Sequence, residues 1–153
     1  MTRPIRTILG TAALLLALAP FPVLANAAQC SGTTEERLRC HSEEVKGLLR
    51  DWVRAWGNGD IDTYLGLYTS VRSPRDDMSR SEWVQNRRER VSPDRPVEIN
   101  LKLESMGLED SGIFDVVFRQ QYISPNYQDE VRKRLFLLRE GDELKIWKEE
   151  VLP

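Results

Sequence analysis

Val97-Glu98-Ile99-Asn100-Leu101-Lys102-Leu103-Glu104 alternates apolar and polar residues along its whole length. A period of two puts Val97, Ile99, Leu101 and Leu103 on one face of a strand and the polar residues on the other. One wet face and one dry face is the pattern of an antiparallel sheet. Three more strand-like runs follow: Ile113 to Ile123, about Asp129 to Arg139, and Leu144 to Val151. The breaks between them carry turn chemistry. Met106 to Gly112 holds Gly107 and Asp110-Ser111-Gly112, Ser124-Pro125-Asn126 reverses the chain, and Glu140-Gly141-Asp142 makes a tight hairpin.

Working back toward the N-terminus, the period changes. From Thr34 to Trp56, Val45, Leu48, Leu49, Trp52, Ala55 and Trp56 recur at three- and four-residue steps and form one apolar helical stripe. Thr33 and Glu36 have the spacing of a capping box, and Gly57-Asn58-Gly59 ends the helix. Asp60 caps a short second helix with Ile61, Tyr64, Leu65 and Tyr68 on its apolar side. Ser70 to Met78 reads as a loop. Ser79 and Glu82 open a third helix whose inward side holds Trp83, Val84, Arg87 or Arg88, and Val91; Pro93 and Pro96 end it. Three helices followed by four meander-linked strands predict an α+β fold with an antiparallel sheet.

The first 27 residues read as a secretory signal peptide. Arg3 and Arg6 precede an uncharged apolar run from Ile8 to Ala19, and Ala25-Asn26-Ala27 fits the small-x-small cleavage pattern. Cleavage before Ala28 is expected, giving an exported, periplasmic or extracellular protein. The apolar run is shorter than the ~20 residues a spanning helix needs. Residues 1–27 hold two of the 22 basic residues and no acidic ones, so their removal shifts the net charge from −2 to −4. The remaining chain suffices for one core. A mildly acidic chain lacks the basic face that nucleic-acid binding needs.

Cys30 and Cys40 are the only cysteines, and export places them where a disulfide forms. A lipid on Cys30 competes with that bond, although Gln29 stands where a lipoprotein signal wants a small residue. No metal site is expected, because His41 is the only histidine and two cysteines beside it cannot complete a zinc tetrahedron. No cofactor is expected either.

Certain residues carry a resemblance. They are Trp52-x-x-Ala55-Trp56, Asp60-x-x-x-Tyr64-x-x-x-Tyr68 and Ser79-x-x-x-Trp83-x-x-x-Arg87-x-x-Arg90-Val91. They continue as Val116-x-Phe118-x-Gln120-x-Tyr122-x-Ser124, Lys133-x-Leu135-x-Leu137, and Leu144-Lys145-Ile146 before Glu149-Glu150. In this order they resemble the nuclear transport factor 2-like superfamily across about residues 45–152. Their motif content resembles more closely still a bacterial secreted branch also found as the C-terminal domain of envelope L,D-transpeptidase-like proteins. The resemblance implies three helices packed in a strongly curved antiparallel sheet, a cone with an open mouth. The expected organisation is signal peptide 1–27, a disulfide-linked segment with the helix start at 28–44, and the cone domain at 45–153. The reactive cysteine–histidine pair of the transpeptidase part has no counterpart in this chain.

Several polar residues share an inward-looking face. Phe118, Gln120 and Tyr122 alternate on the second strand, and Lys133 sides with Leu135 and Leu137. On the last strand Glu150 sides with Leu144, Ile146 and Lys148, whereas Glu149 goes with Trp147. A buried lysine needs a partner, so a Lys133–glutamate pair is expected in the cone. Tyr64 and a helix-three arginine, Arg87 or Arg88, complete the candidate pocket. The leading expectation is a non-enzymatic envelope module that binds a partner protein, a cell-wall fragment or a small ligand. Two other readings stay open: a small isomerase or cyclase using the cone, and a scaffold with a structural cone that forms a homodimer through the outer sheet face around Trp147.

Overall fold

The computed structural model describes residues 30–153 except Pro96; the signal-peptide reading and the cleavage site lie outside the described residues. Helix α1 runs Thr34–Gly57, α2 Ile61–Gly66 and α3 Arg80–Arg90. Strands β1 Glu98–Leu108, β2 Phe114–Ser124, β3 Tyr127–Glu140 and β4 Glu143–Leu152 follow. They pair antiparallel in chain order, β1-β2-β3-β4. The curved sheet and helices make the α+β cone expected of the sequence.

Local chemistry sets the helix ends. Thr33 and Glu36 cap α1 reciprocally, and Ser79 and Glu82 do the same for α3. The Asp60 side chain accepts from the Thr63 N–H at the start of α2. Gly59 has φ 68, and a Cβ there would clash with the Pro93 nitrogen and the Ser92 carbonyl. The turn between α1 and α2 therefore needs glycine both for its left-handed backbone and for its approach to the Ser92-Pro93 chain.

The apolar stripe of α1 fills the cone. Val45 and Trp52 are fully buried, against Phe118, Leu135, Leu137 and Ile146 from the sheet. Four aromatic rings from the helices and the chain just after α2 cluster behind Trp52: Trp56 at 5.2 Å, Tyr64 at 6.1 Å, then Tyr68 and Trp83, whose centroids are 4.6 Å apart. A disulfide joins Cys30 to Cys40 on α1, and Arg139 of β3 bonds Glu44 further along the same helix.

Two irregularities alter the strands from strict alternation. In β1, Leu103 opposes Phe118 and Ser105 opposes Val117, so Glu104 is an extra residue. The strand continues past this bulge to Leu108, into the segment expected to be a turn from Met106 onward. In β4, Ile146 opposes Leu137 and Lys148 opposes Phe136, leaving Trp147 as the extra residue. A bulge exchanges the two faces for every residue beyond it.

The outer edge of β4 is covered by the chain that follows α2. Leu67 and Thr69 exchange backbone hydrogen bonds with Ile146, and the Glu149 N–H donates to the Pro74 carbonyl. The loop from Ser70 onward is thereby held against the sheet, with Ser73 and Pro74 buried.

Candidate functional site

The bulge at Trp147 decides the chemistry of the cone. It turns Glu149 inward, opposite Leu135, and Glu150 outward, where it accepts from Lys148. The glutamate expected inside was Glu150; the structure puts Glu149 there instead, 8% exposed. The expected ion pair with Lys133 forms through this other residue, with Lys133 Nζ 2.5 Å from Glu149 Oε1. The sequence alternation misassigned the acid because one inserted residue reverses the parity of the strand.

The second carboxylate oxygen of Glu149 accepts from the Tyr68 hydroxyl at 3.1 Å. Tyr68 in turn accepts from Trp52 Nε1 at 2.8 Å and lies 2.9 Å from the Tyr64 hydroxyl. Tyr68 has one proton and gives it to Glu149, so Tyr64 donates to Tyr68. The result is a directed chain of donors that ends on one carboxylate. The Lys133 ammonium also lies 5.9 Å and 5.7 Å from the ring centroids of Trp52 and Trp56, in the range of cation–π attraction.

These contacts set the charge states. Burial pushes the Glu149 carboxyl up, but the charges of Lys133 and Arg87 and the hydrogen bonds from Lys133 and Tyr68 outweigh it and hold the group below its ordinary 4.5. Burial, reinforced by the Glu149 charge, pushes the Tyr68 hydroxyl far above its ordinary range, and burial does the same to Tyr64. At neutral pH Glu149 is an anion and both tyrosines are neutral donors.

Beside this network lies a cavity of about 410 Å³. Lys133, Glu149, Gln120 and Arg87 form its polar wall, and Trp56 and Tyr122 form the aromatic one. Gln120 is 3% exposed and Arg87 6%. Four of the expected site residues thus meet here: Arg87, Gln120, Tyr122 and Lys133. Four do not. Phe118 and Tyr64 are fully buried core, Glu150 faces outward, and Arg88 is exposed, 3.7 Å from Asp62. The third helix presents one arginine inward, and α-helical spacing makes Arg87, four residues after Trp83, that residue. Arg75, Arg90 and Arg95 also line the cavity. They come from loops and a helix end, where no periodicity marks them.

His41 does not line the cavity. It packs edge-on to Phe114 at 5.6 Å and lies 3.2 Å from Arg139. Among the described residues no three His, Cys, Asp or Glu side chains converge as a metal site, and no helix is long and apolar enough to cross a membrane.

A family model for the Cds6 C-terminal NTF2-like domain matches residues 44–150. The chain belongs to this family. Among solved structures it is similar to Bdellovibrio bacteriovorus Bd1075, with TM-score 0.65 and 21% identity over 80% of this chain and 43% of that one. It is also similar to an NTF-2 like protein of unknown function from Shewanella oneidensis MR-1, with TM-score 0.62 and 14% identity over 72% and 97% of the two chains. A third likeness is to the helical cell shape determining protein Pgp2 from Campylobacter jejuni, with TM-score 0.57 and 22% identity over 76% and 40%. The chain therefore spans less than half the length of Bd1075 and Pgp2. No curated protein matches it. In this Cds6 C-terminal NTF2-like domain, the matched segment contains the cavity walls and the whole Trp52–Tyr68–Glu149–Lys133 network, while Cys30 and Cys40 lie before it.

Proposed function

We propose that this chain is an exported, non-enzymatic module of the bacterial envelope whose cone binds a small ligand or a cell-wall fragment. The carrying observation is the cavity of about 410 Å³, with buried polar side chains on one side and aromatic rings on the other. Orienting polar groups set against an apolar wall are what a small-molecule site requires. The wall connection is supported by the likeness to part of a cell shape determining protein. Export is supported by the leader-like sequence of residues 1–27 and by the Cys30–Cys40 disulfide.

Binding is favoured over proton-transfer chemistry by the state of Glu149. A general base works best with a proton affinity near the working pH. Glu149 is held ionised by a lysine and a tyrosine, and its affinity for a proton is lowered, so it is a poor base.

The test is native mass spectrometry of the exported protein with a panel of muropeptides and small metabolites. A retained ligand is expected, and Gln120→Leu and Tyr122→Ala should release it while changing the melting temperature little. If nothing in the panel is retained, or if both variants only lower the melting temperature, the cavity is structural and the reading falls.

A further inference from the structure

We propose that the ligand of this cavity carries a single carboxylate and that Arg87 receives it. The proposal rests on the reading of the cavity as a binding site and adds the chemical class of the occupant.

Three buried charged side chains form the floor: Arg87, Lys133 and Glu149. Lys133 and Glu149 neutralise each other as a contact pair. Arg87 is left over. Among the described residues no carboxylate lies within ion-pair distance of it, and its buried Nε has no hydrogen-bond partner. Its neighbour on one side is the face of Trp83, 5.6 Å from the guanidinium. The floor therefore carries one excess positive charge. Glu149 attracts Arg87 across space but is in contact with Lys133, so the guanidinium has no contact counterion, and an anion that enters with the ligand supplies one.

The shape of the donor narrows the anion. A guanidinium presents a planar fork that matches the two oxygens of a carboxylate. One negative charge brings the floor to neutrality, whereas a doubly charged phosphate monoester would leave it negative. Gln120 stands on the same wall with its Oε1 buried and unpartnered, so an amide or hydroxyl beside the carboxylate has a polar neighbour to meet. The rings of Trp56 and Tyr122 line the same space and take the apolar body. At the rim Arg90 and Arg95 are exposed, and neither is in an ion pair among the described residues; Asp129 also lines the cavity, so these two arginines outnumber the one rim carboxylate and the approach keeps a positive excess.

The test compares N-acetyl-L-alanine with its neutral amide, N-acetyl-L-alaninamide, and with methyl phosphate. Arginine side-chain NMR signals of the wild type follow binding without any mutation. N-acetyl-L-alanine should shift the Arg87 Nε–Hε signal, and the amide should bind at least about tenfold more weakly. Arg87→Gln should lose about 10- to 100-fold in affinity for N-acetyl-L-alanine. Should that variant fail to fold, the wild-type titration alone decides. Equal binding of the amide, tighter binding of methyl phosphate, shifts confined to other arginines, or no shift with any of the three probes overturns the carboxylate assignment. The muropeptide and metabolite panel keeps the two proposals apart. A neutral ligand retained in the cavity sinks this one alone, and an empty panel sinks both.

Discussion

Glu149 of β4 accepts from Lys133 on the neighbouring strand and from Tyr68 beyond the end of α2, so one carboxylate ties the sheet to the helical layer. Its two oxygens are divided between the two partners, and neither partner can be removed without stranding a buried group.

The ion pair is therefore expected to be far more sensitive to single than to paired replacement. Lys133→Met leaves Glu149 buried without its counterion and should cost about 3–5 kcal/mol. Lys133→Met combined with Glu149→Leu should recover much of that loss. Urea unfolding of the wild type, both singles and the double gives the coupling directly.

Tyr68→Phe removes the acceptor of Trp52 Nε1 and one donor to Glu149 in a single step. Each orphaned buried group costs about 1–3 kcal/mol. The expected signature is a lower melting temperature with a changed tryptophan fluorescence spectrum. Tyr64→Phe, which removes one donor at the far end of the chain, should cost less.

Acid should weaken the protein through Glu149. Its folded-state proton affinity lies below that of a free glutamate at 4.5, so its contribution is fully present above that value. It is lost as the pH falls through the lower folded value. Glu149→Gln should flatten this limb of a stability profile recorded from neutral pH down to about pH 3. At the other extreme, Tyr64 and Tyr68 are raised above 10.0, so their contribution is present below that value and fades in strong alkali.

Intact mass of the protein recovered from expressing cells reports both ends of the N-terminal expectation. The species should lack residues 1–27 and be two hydrogens lighter than its reduced form. Cys40→Ser should lower stability by no more than about 3 kcal/mol, because the closed loop is short. The core formed by Trp52, Phe118 and Leu135 should survive it.

Much of the fold was legible because its signals are local. Thr33 with Glu36, Ser79 with Glu82, the glycines around Asn58 and the alternation from Val97 each act within a few residues, and each lies where the structure uses it. The site was legible only in part. Gln120 and Tyr122 follow an unbroken alternation in β2 and could be read. Glu149 could not, because the bulge at Trp147 shows only in how β4 pairs with β3, and the Glu149 backbone beyond it bonds Pro74, far away in sequence. Arg75 and Arg95 sit in loops, and their convergence with Arg87 exists only once the helices pack.

Trp147 itself stands on the outer face, edge-on to Phe136 at 6.3 Å and covered by the Arg72 guanidinium at 4.9 Å. Charges beside it on that face are paired, Arg134 with Asp115 and Lys148 with Glu150. Trp147→Glu should leave the mass measured by light scattering unchanged. A dimer in the wild type that this variant dissolves would restore the outer face as an association surface.

The chain that runs along β4 has one more effect. By meeting that border at Ile146 and Glu149 from Leu67 to Pro74, it leaves β1 as the border of the sheet that no described backbone segment covers. Backbone-to-backbone association of folded copies can then use one side of each copy only. Such growth ends at a closed couple and cannot propagate into a filament.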